Sequence, residues 1–172
     1  MSNDPEKEDM RIFGIAYAIA EKAHAGQYRR LPDARPYIEH VKDVAALMPT
    51  WELKTVAILH DAIEDSDGKV TKATLLAAGI PKQIVDAVQA MTKDDDNIDY
   101  LKYVEDNVKP NAFATKVKLA DNYVNMRDRL ASVIAGGPEA AASAKKLSDY
   151  AKSIALLVEP ETVYGQPESE VE

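Results

Sequence analysis

The 172-residue chain contains no cysteine, which removes disulfides, thiolate nucleophiles and sulfur-ligated zinc together. It is poor in aromatic residues, at 6% of the chain, and its runs of β-branched residues are short. No stretch approaches the roughly 18 to 20 consecutive apolar residues that a membrane span requires. The start, MSNDPEKEDM, is polar and acidic, unlike a secretory leader, and the expected location is the cytoplasm. Basic residues are also scarce: 21 Lys and Arg against 29 Asp and Glu leave a net charge of -8. That balance argues against nucleic acid or an acidic membrane as partner, because both need a basic surface. A small polyphosphate remains compatible with it if a few cations converge locally.

What the chain does have is Ala, Leu, Lys, Glu and Asp, with 46% apolar content, the composition of a helical globular domain. Periodicity and punctuation predict about eight helices. The first runs from Pro5 to Gly26 behind an Asp4 cap, and the second over residues 37 to 48, between Pro36 and Pro49. A third, capped by Thr50, is expected to stop near Ser66, and short ones follow over 71 to 78, 81 to 91 and 98 to 108. A long helix over 111 to 135 ends at Gly136-Gly137-Pro138, and a last one covers 139 to 158. The expected architecture is all-α, with one domain over residues 1–158 and an acidic, flexible tail over 159–172. There is no internal repeat.

The stretch ILHDAIED, residues 58 to 65, sets a histidine and three carboxylates into an apolar run. Read as helix, it projects His60, Asp61, Glu64 and Asp65 over an arc of roughly 140°, with His60 and Glu64 inside the apolar stripe. Buried charge must be paired or bound to a metal. His40 shares an apolar face with Tyr37, Val41, Val44 and Met48, where a hydrogen-bonded core histidine is the simpler reading. Asp121 falls on the stripe of Val117, Ala120 and Val124, with Asn125 one turn on. Together, two histidines and two aspartates on three helices compose a mixed nitrogen and oxygen metal site, suited to manganese, iron or zinc. His24, at a helix end with no acidic neighbour at ligand spacing, reads as a supporting residue instead of a ligand.

The words AHAGQYRR, PYIEH, ILHDAIEDS, MTK and VKLADNYVNMR, in that order and spacing, resemble the hydrolase domain of RelA/SpoT-type alarmone enzymes. The resemblance covers residues from about 12 to 157 and is strongest to the stand-alone small alarmone hydrolases, similar to the metazoan SpoT homologue. It implies a compact HD-domain helical bundle and a manganese ion. The implied activity is removal of the 3′-pyrophosphate of ppGpp or pppGpp, giving GDP or GTP. On that resemblance His40, His60, Asp61 and Asp121 are the metal ligands, and Glu64 and Asp65 the catalytic pair. Arg29, Arg30, Asn125 and Tyr150 are substrate contacts, with Arg127 where some members place another basic group. The segment TKDDDNIDYLKY is more acidic than in many relatives, with only Lys93 and Lys102 nearby, which bears on the preferred base and phosphate tail. Three alternatives stay open: a phosphohydrolase acting on an adenine alarmone or a phosphorylated dinucleotide cofactor, a non-catalytic nucleotide-binding module, and a helical scaffold with a buried polar network and no metal. Oligomeric state is not legible.

Overall fold

The computed structural model describes residues 5–29, 34–93 and 98–158. The expected Asp4 cap, most of the acidic loop after Lys93 and the acidic tail lie outside the described residues. Eight α-helices are present among the described residues: α1 (Pro5–Ala23), α2 (Ile38–Ala46), α3 (Trp51–Leu59), α4 (Lys72–Ala77), α5 (Lys82–Met91), α6 (Tyr100–Tyr103), α7 (Ala112–Ala135) and α8 (Ala140–Val158). A π-helical turn, Val104–Val108, prolongs α6. The described residues form no strand, only an isolated bridge between Tyr28 and Pro36. The all-α expectation is met.

Helix α3 is the axis of the bundle. Leu53, Thr55, Val56, Ala57, Ile58 and Leu59 are all buried, and α1, α2, α5 and α7 pack around it. From Leu53 onward the helix is enclosed on nearly every side, and only Glu52 in its first turn is exposed. Small residues on the surrounding helices, among them Ala16, Ala20, Ala87 and Ala114, are fully buried and let the backbones approach closely. Helices α7 and α8 form a hairpin through Gly136 and Gly137, both with positive φ, a region that costs glycine nothing.

Several ends are set by local chemistry. Thr50 accepts from Leu53 N, as its position before α3 predicts, and Thr71 and Thr74 form a reciprocal capping box on α4. Asn111 opens α7 by accepting from the N–H groups of Phe113 and Ala114, each at 3.0 Å.

The end of α3 departs from expectation. It stops at Leu59, seven residues early, and residues 60–68 continue as a run of turns. The reason is local competition for carbonyls. His60 Nδ1 lies 2.7 Å from Ala57 O, the acceptor that the next backbone helical bond would use, while Ala62 N turns back to Leu59 O. The run closes through Asp67 and Gly68, both with positive φ.

Deleting buried volume on α3 should therefore hurt more than losing a cap. Ile58→Ala is expected to cost about 2–5 kcal/mol, and Asn111→Ala about 1 kcal/mol, in urea denaturation followed by circular dichroism.

Candidate metal centre and cavity

His40 is brought in by α2, His60 and Asp61 by the turn that follows α3, and Asp121 by the middle of α7. His40, His60 and Asp121 are buried, and each offers one ligand atom within 4.8 Å of the other two. His40 Nε2 lies 3.1 Å from Asp121 Oδ1, and His60 Nε2 lies 3.7 Å from the same oxygen. Asp61 Oδ2 is 3.2 Å from His60 Nε2 and 3.9 Å from His40 Nε2.

The donors fit a divalent cation. Because Ala57 O can only accept, His60 Nδ1 carries a proton and Nε2 is the nitrogen turned inward, able to ligate a cation once its own proton leaves. That buried Nε2 makes no aligned hydrogen bond, although two carboxylates stand within 4 Å. Two imidazoles and two carboxylates without sulfur suit manganese, iron or zinc, so the residues could hold such an ion while leaving positions open.

The electrostatics make the same demand for positive charge. Burial opposes the charged form of His60, but Asp61 and Asp121 outweigh it and hold the imidazolium up to about 10. His40 goes down, because burial dominates there. Burial also works against Asp61, yet the His60 charge keeps its carboxyl below the usual range. Asp121 is well below its ordinary value: Lys118, His40 and His60 together overcome its burial.

Neighbours fix the carboxylates in place. The Tyr37 hydroxyl donates to Asp61 Oδ2 at 2.7 Å, and burial followed by the Asp61 charge pushes that phenol up, so it remains a donor. Asp121 Oδ2 accepts from Lys118 Nζ at 2.9 Å, and its Oδ1 accepts from Asn125 Nδ2 at 2.6 Å. His24 is not among the clustered donors. Its ring stacks on Tyr37 with centroids 4.9 Å apart, and Nδ1 lies 2.8 Å from Gln27 Oε1. Gln27 in turn donates to Asp65 O at 2.7 Å, tying the end of α1 to the turn that carries the acids.

The centre opens into a cavity of about 820 Å³. Glu64, Asp65, Arg29, Asn125 and Tyr150 all line it, alongside His40, Asp61 and Asp121. Arg30 lies outside the described residues. Glu64 is a correction to the helical reading: it is exposed at the cavity instead of buried in an apolar stripe, because α3 has already ended. Its carboxylate accepts from Lys93 N at 3.0 Å. Asp65 is partly buried, and burial, then the charges of Asp61 and Glu64, push its carboxyl up to about 6. Tyr150 meets Tyr100 edge to face at 6.2 Å.

Two basic residues are reassigned. Arg127 pairs with Asp43 at 2.7 Å and does not line the cavity, whereas Arg129 does. Lys102 pairs with Asp106 on the outer surface, leaving Lys93 as the member of that pair beside the site. Lys118 was missed, although its place three residues before Asp121 is a readable helical pair. Arg129 had a similar signal, since Asp121, Asn125 and Arg129 repeat every four residues along one helix face. Tyr37 and Gln27 had no comparable sign, because their partners are remote in sequence.

A cation held in this centre should stabilise the folded chain by mass action, about 2.7 kcal/mol at a hundred times its dissociation constant. Adding manganese is expected to raise Tm in differential scanning fluorimetry and a chelator to reverse the rise. Asp121→Ala and His60→Ala proteins should show neither response.

No protein-family model matches the chain. It is 31% identical over 121 residues to the human guanosine-3′,5′-bis(diphosphate) 3′-pyrophosphohydrolase MESH1, covering 64% of this chain and 65% of the human protein. The Drosophila melanogaster protein of the same name is 26% identical over 115 residues, 61% of this chain and 62% of that one. The chain thus spans just under two thirds of the length of these relatives. A Myxococcus xanthus GTP pyrophosphokinase is 32% identical over 89 residues, 49% of this chain and 12% of that protein. Among solved structures, one described as a metazoan ortholog of SpoT that hydrolyzes ppGpp superposes with a TM-score of 0.62 at 23% identity. It covers 85% of this chain and 91% of that one. In sequence over 64% of its length, and in fold over 85%, the chain is similar to the stand-alone hydrolases that its motifs resemble.

Proposed function

We propose that the chain is a manganese-dependent 3′-pyrophosphohydrolase of guanosine tetra- and pentaphosphate, yielding GDP or GTP and pyrophosphate. The observation that carries this reading is the convergence of His40, His60, Asp61 and Asp121 on one point, with Glu64 and Asp65 beside it on the wall of the same cavity. A metal-binding scaffold alone has no use for the second pair of acids. The names of the relatives supply the substrate class. No helix among the described residues is long and apolar enough to cross a membrane.

A bound divalent cation supplies Lewis acidity toward water and toward a phosphoryl oxygen. The protein's own groups do the rest. Glu64, its carboxylate anchored on Lys93 N, orients the attacking water. Asp65, with its carboxyl near 6, can take a proton from that water and deliver one to the ribose 3′-oxygen as the phosphorus–oxygen bond breaks. One water is consumed: its oxygen ends on pyrophosphate and one proton on the 3′-hydroxyl. Arg29, Asn125 and Tyr150 hold the phosphates and nucleoside in line, which converts binding into rate.

Purified protein with manganese is expected to release pyrophosphate from ppGpp, with the adenine analogue run alongside as the test of base preference. Glu64→Gln and Asp65→Asn should each lower kcat by about 10²–10⁴-fold, the usual worth of a positioned acid or base, while still binding manganese. Normal turnover by an Asp121→Ala protein that has lost its metal would sink the proposal.

A further inference from the structure

Beyond Asn125 the cavity rim is built from ions. Asp128 on α7 is buried, yet three guanidinium groups reach it. Arg127 Nε donates to Oδ1 at 2.9 Å, Arg35 Nη2 to Oδ2 at 3.2 Å, and Arg29 Nη2 lies 3.4 Å from Oδ2. Asp43 on α2 takes Arg35 at 2.9 Å and Arg127 at 2.7 Å. Among the described residues, three cations thus face two carboxylates.

Which of the three arginines is turned to the cavity follows from the distances and the lining. Arg35 and Arg127 each serve both carboxylates, whereas Arg29 meets only Asp128, at the longest separation of the set. Of the three arginines, Arg29 alone lines the cavity. Its Nη2 also donates to Asn125 Oδ1 at 2.9 Å, so one corner of the fork is occupied by protein. Its Nε and Nη1 make no hydrogen bond with the described residues. With its side chain 10% exposed, the guanidinium is held in one place before any ligand arrives. A planar fork fixed in this way loses little freedom on meeting a phosphate.

The ion network is not needed to shape the loop that bears Arg29. Backbone bonds already close that hairpin: Arg29 N to Arg35 O and Tyr37 N to Gln27 O, both at 2.9 Å, around the bridge between Tyr28 and Pro36. Burying a carboxylate under three arginines is costly in itself, and here its result is the orientation of one side chain.

We propose that Asp128 is a positioning residue, fixing the Arg29 guanidinium as the receptor for a phosphate group of the substrate. This rests on the phosphate-bearing substrate of the proposed function, but not on its hydrolysis. The test is calorimetric titration of inorganic pyrophosphate into the manganese-loaded chain, with the KM for ppGpp measured in parallel. Asp128→Asn is expected to weaken pyrophosphate binding about tenfold, the scale of one charge-assisted hydrogen bond, and Arg29→Met at least as much. The double variant should bind no worse than Arg29→Met alone, since both changes remove the same contact. Asp43→Asn, which loosens Arg35 and Arg127 without touching Arg29, should bind pyrophosphate as wild type does. For ppGpp, Asp128→Asn should raise KM and leave kcat within about twofold, the mark of lost uniform binding.

Should Asp128→Asn fail to fold, Asp128→Glu keeps the charge and displaces the carboxylate by one methylene. It should weaken pyrophosphate binding alone but not on top of Arg29→Met. Unchanged or tighter binding by the Asp128 variants, additive losses, or a wild-type chain that does not bind pyrophosphate would each overturn the assignment. A wild-type chain that shows the non-additive pattern but leaves ppGpp intact would defeat the proposed reaction and keep the positioning role.

Discussion

Two carboxylates, Asp61 and Asp121, share a largely dry space with the Nε2 atoms of His40 and His60, all at separations of 3.1 to 3.9 Å. Carboxylates so placed require a positive charge, and much of the surrounding structure meets that demand. Lys118 answers from one side of Asp121, and His60 answers by holding a proton far above the ordinary histidine range. A divalent ion in this space would take over the same role with a larger charge. The enclosing of α3 by four other helices is what keeps the space dry enough for these interactions to be strong.

The centre and the acids beside it are held by different parts of the fold. The imidazoles and Asp121 stand on or at the ends of packed helices, where neighbouring side chains lock their rotamers. Glu64 and Asp65 lie on the irregular turn after α3, tethered by Lys93 N to one and by Gln27 through the backbone of the other. That turn exists because His60 points its Nδ1 at Ala57 O and ends the helix. The residue that offers Nε2 to the centre thereby also places the two acids beyond the helix end. The candidate centre and the acid pair are coupled through one imidazole.

Helix α7 forms the opposite wall. Lys118, Asp121, Asn125, Asp128 and Arg129 all face the cavity, so one helix carries a candidate ligand, the group that steadies it and a cation farther out. The net charge of -8 does not conflict with a polyphosphate ligand, because charge is local here. Asp43 and Asp128 hold Arg35 and Arg127 to the protein and leave Arg29 for the cavity.

Much of this was legible beforehand. Helix number and class follow from apolar periodicity broken by Pro, Gly and cap residues, which are local properties of the chain. His40, His60 and Asp121 stood out because each is a polar group on an apolar stripe, and burial bore that out. The end of α3 was not legible, since it turns on which carbonyl the His60 ring faces, and Glu64 was misplaced with it. Nor could periodicity alone show that Arg127 turns to Asp43 while Arg129 faces the cavity; the packing of α2 against α7 decides that. Tyr37 and Asp61 are 24 residues apart, Gln27 and Asp65 are 38, and Arg35 and Asp128 are 93. By itself the sequence determined the helices and which side chains could not be left unpaired in a core. Tertiary structure alone decided their partners, because a hydrogen bond or ion pair depends on distances of a few ångströms that chain order does not encode.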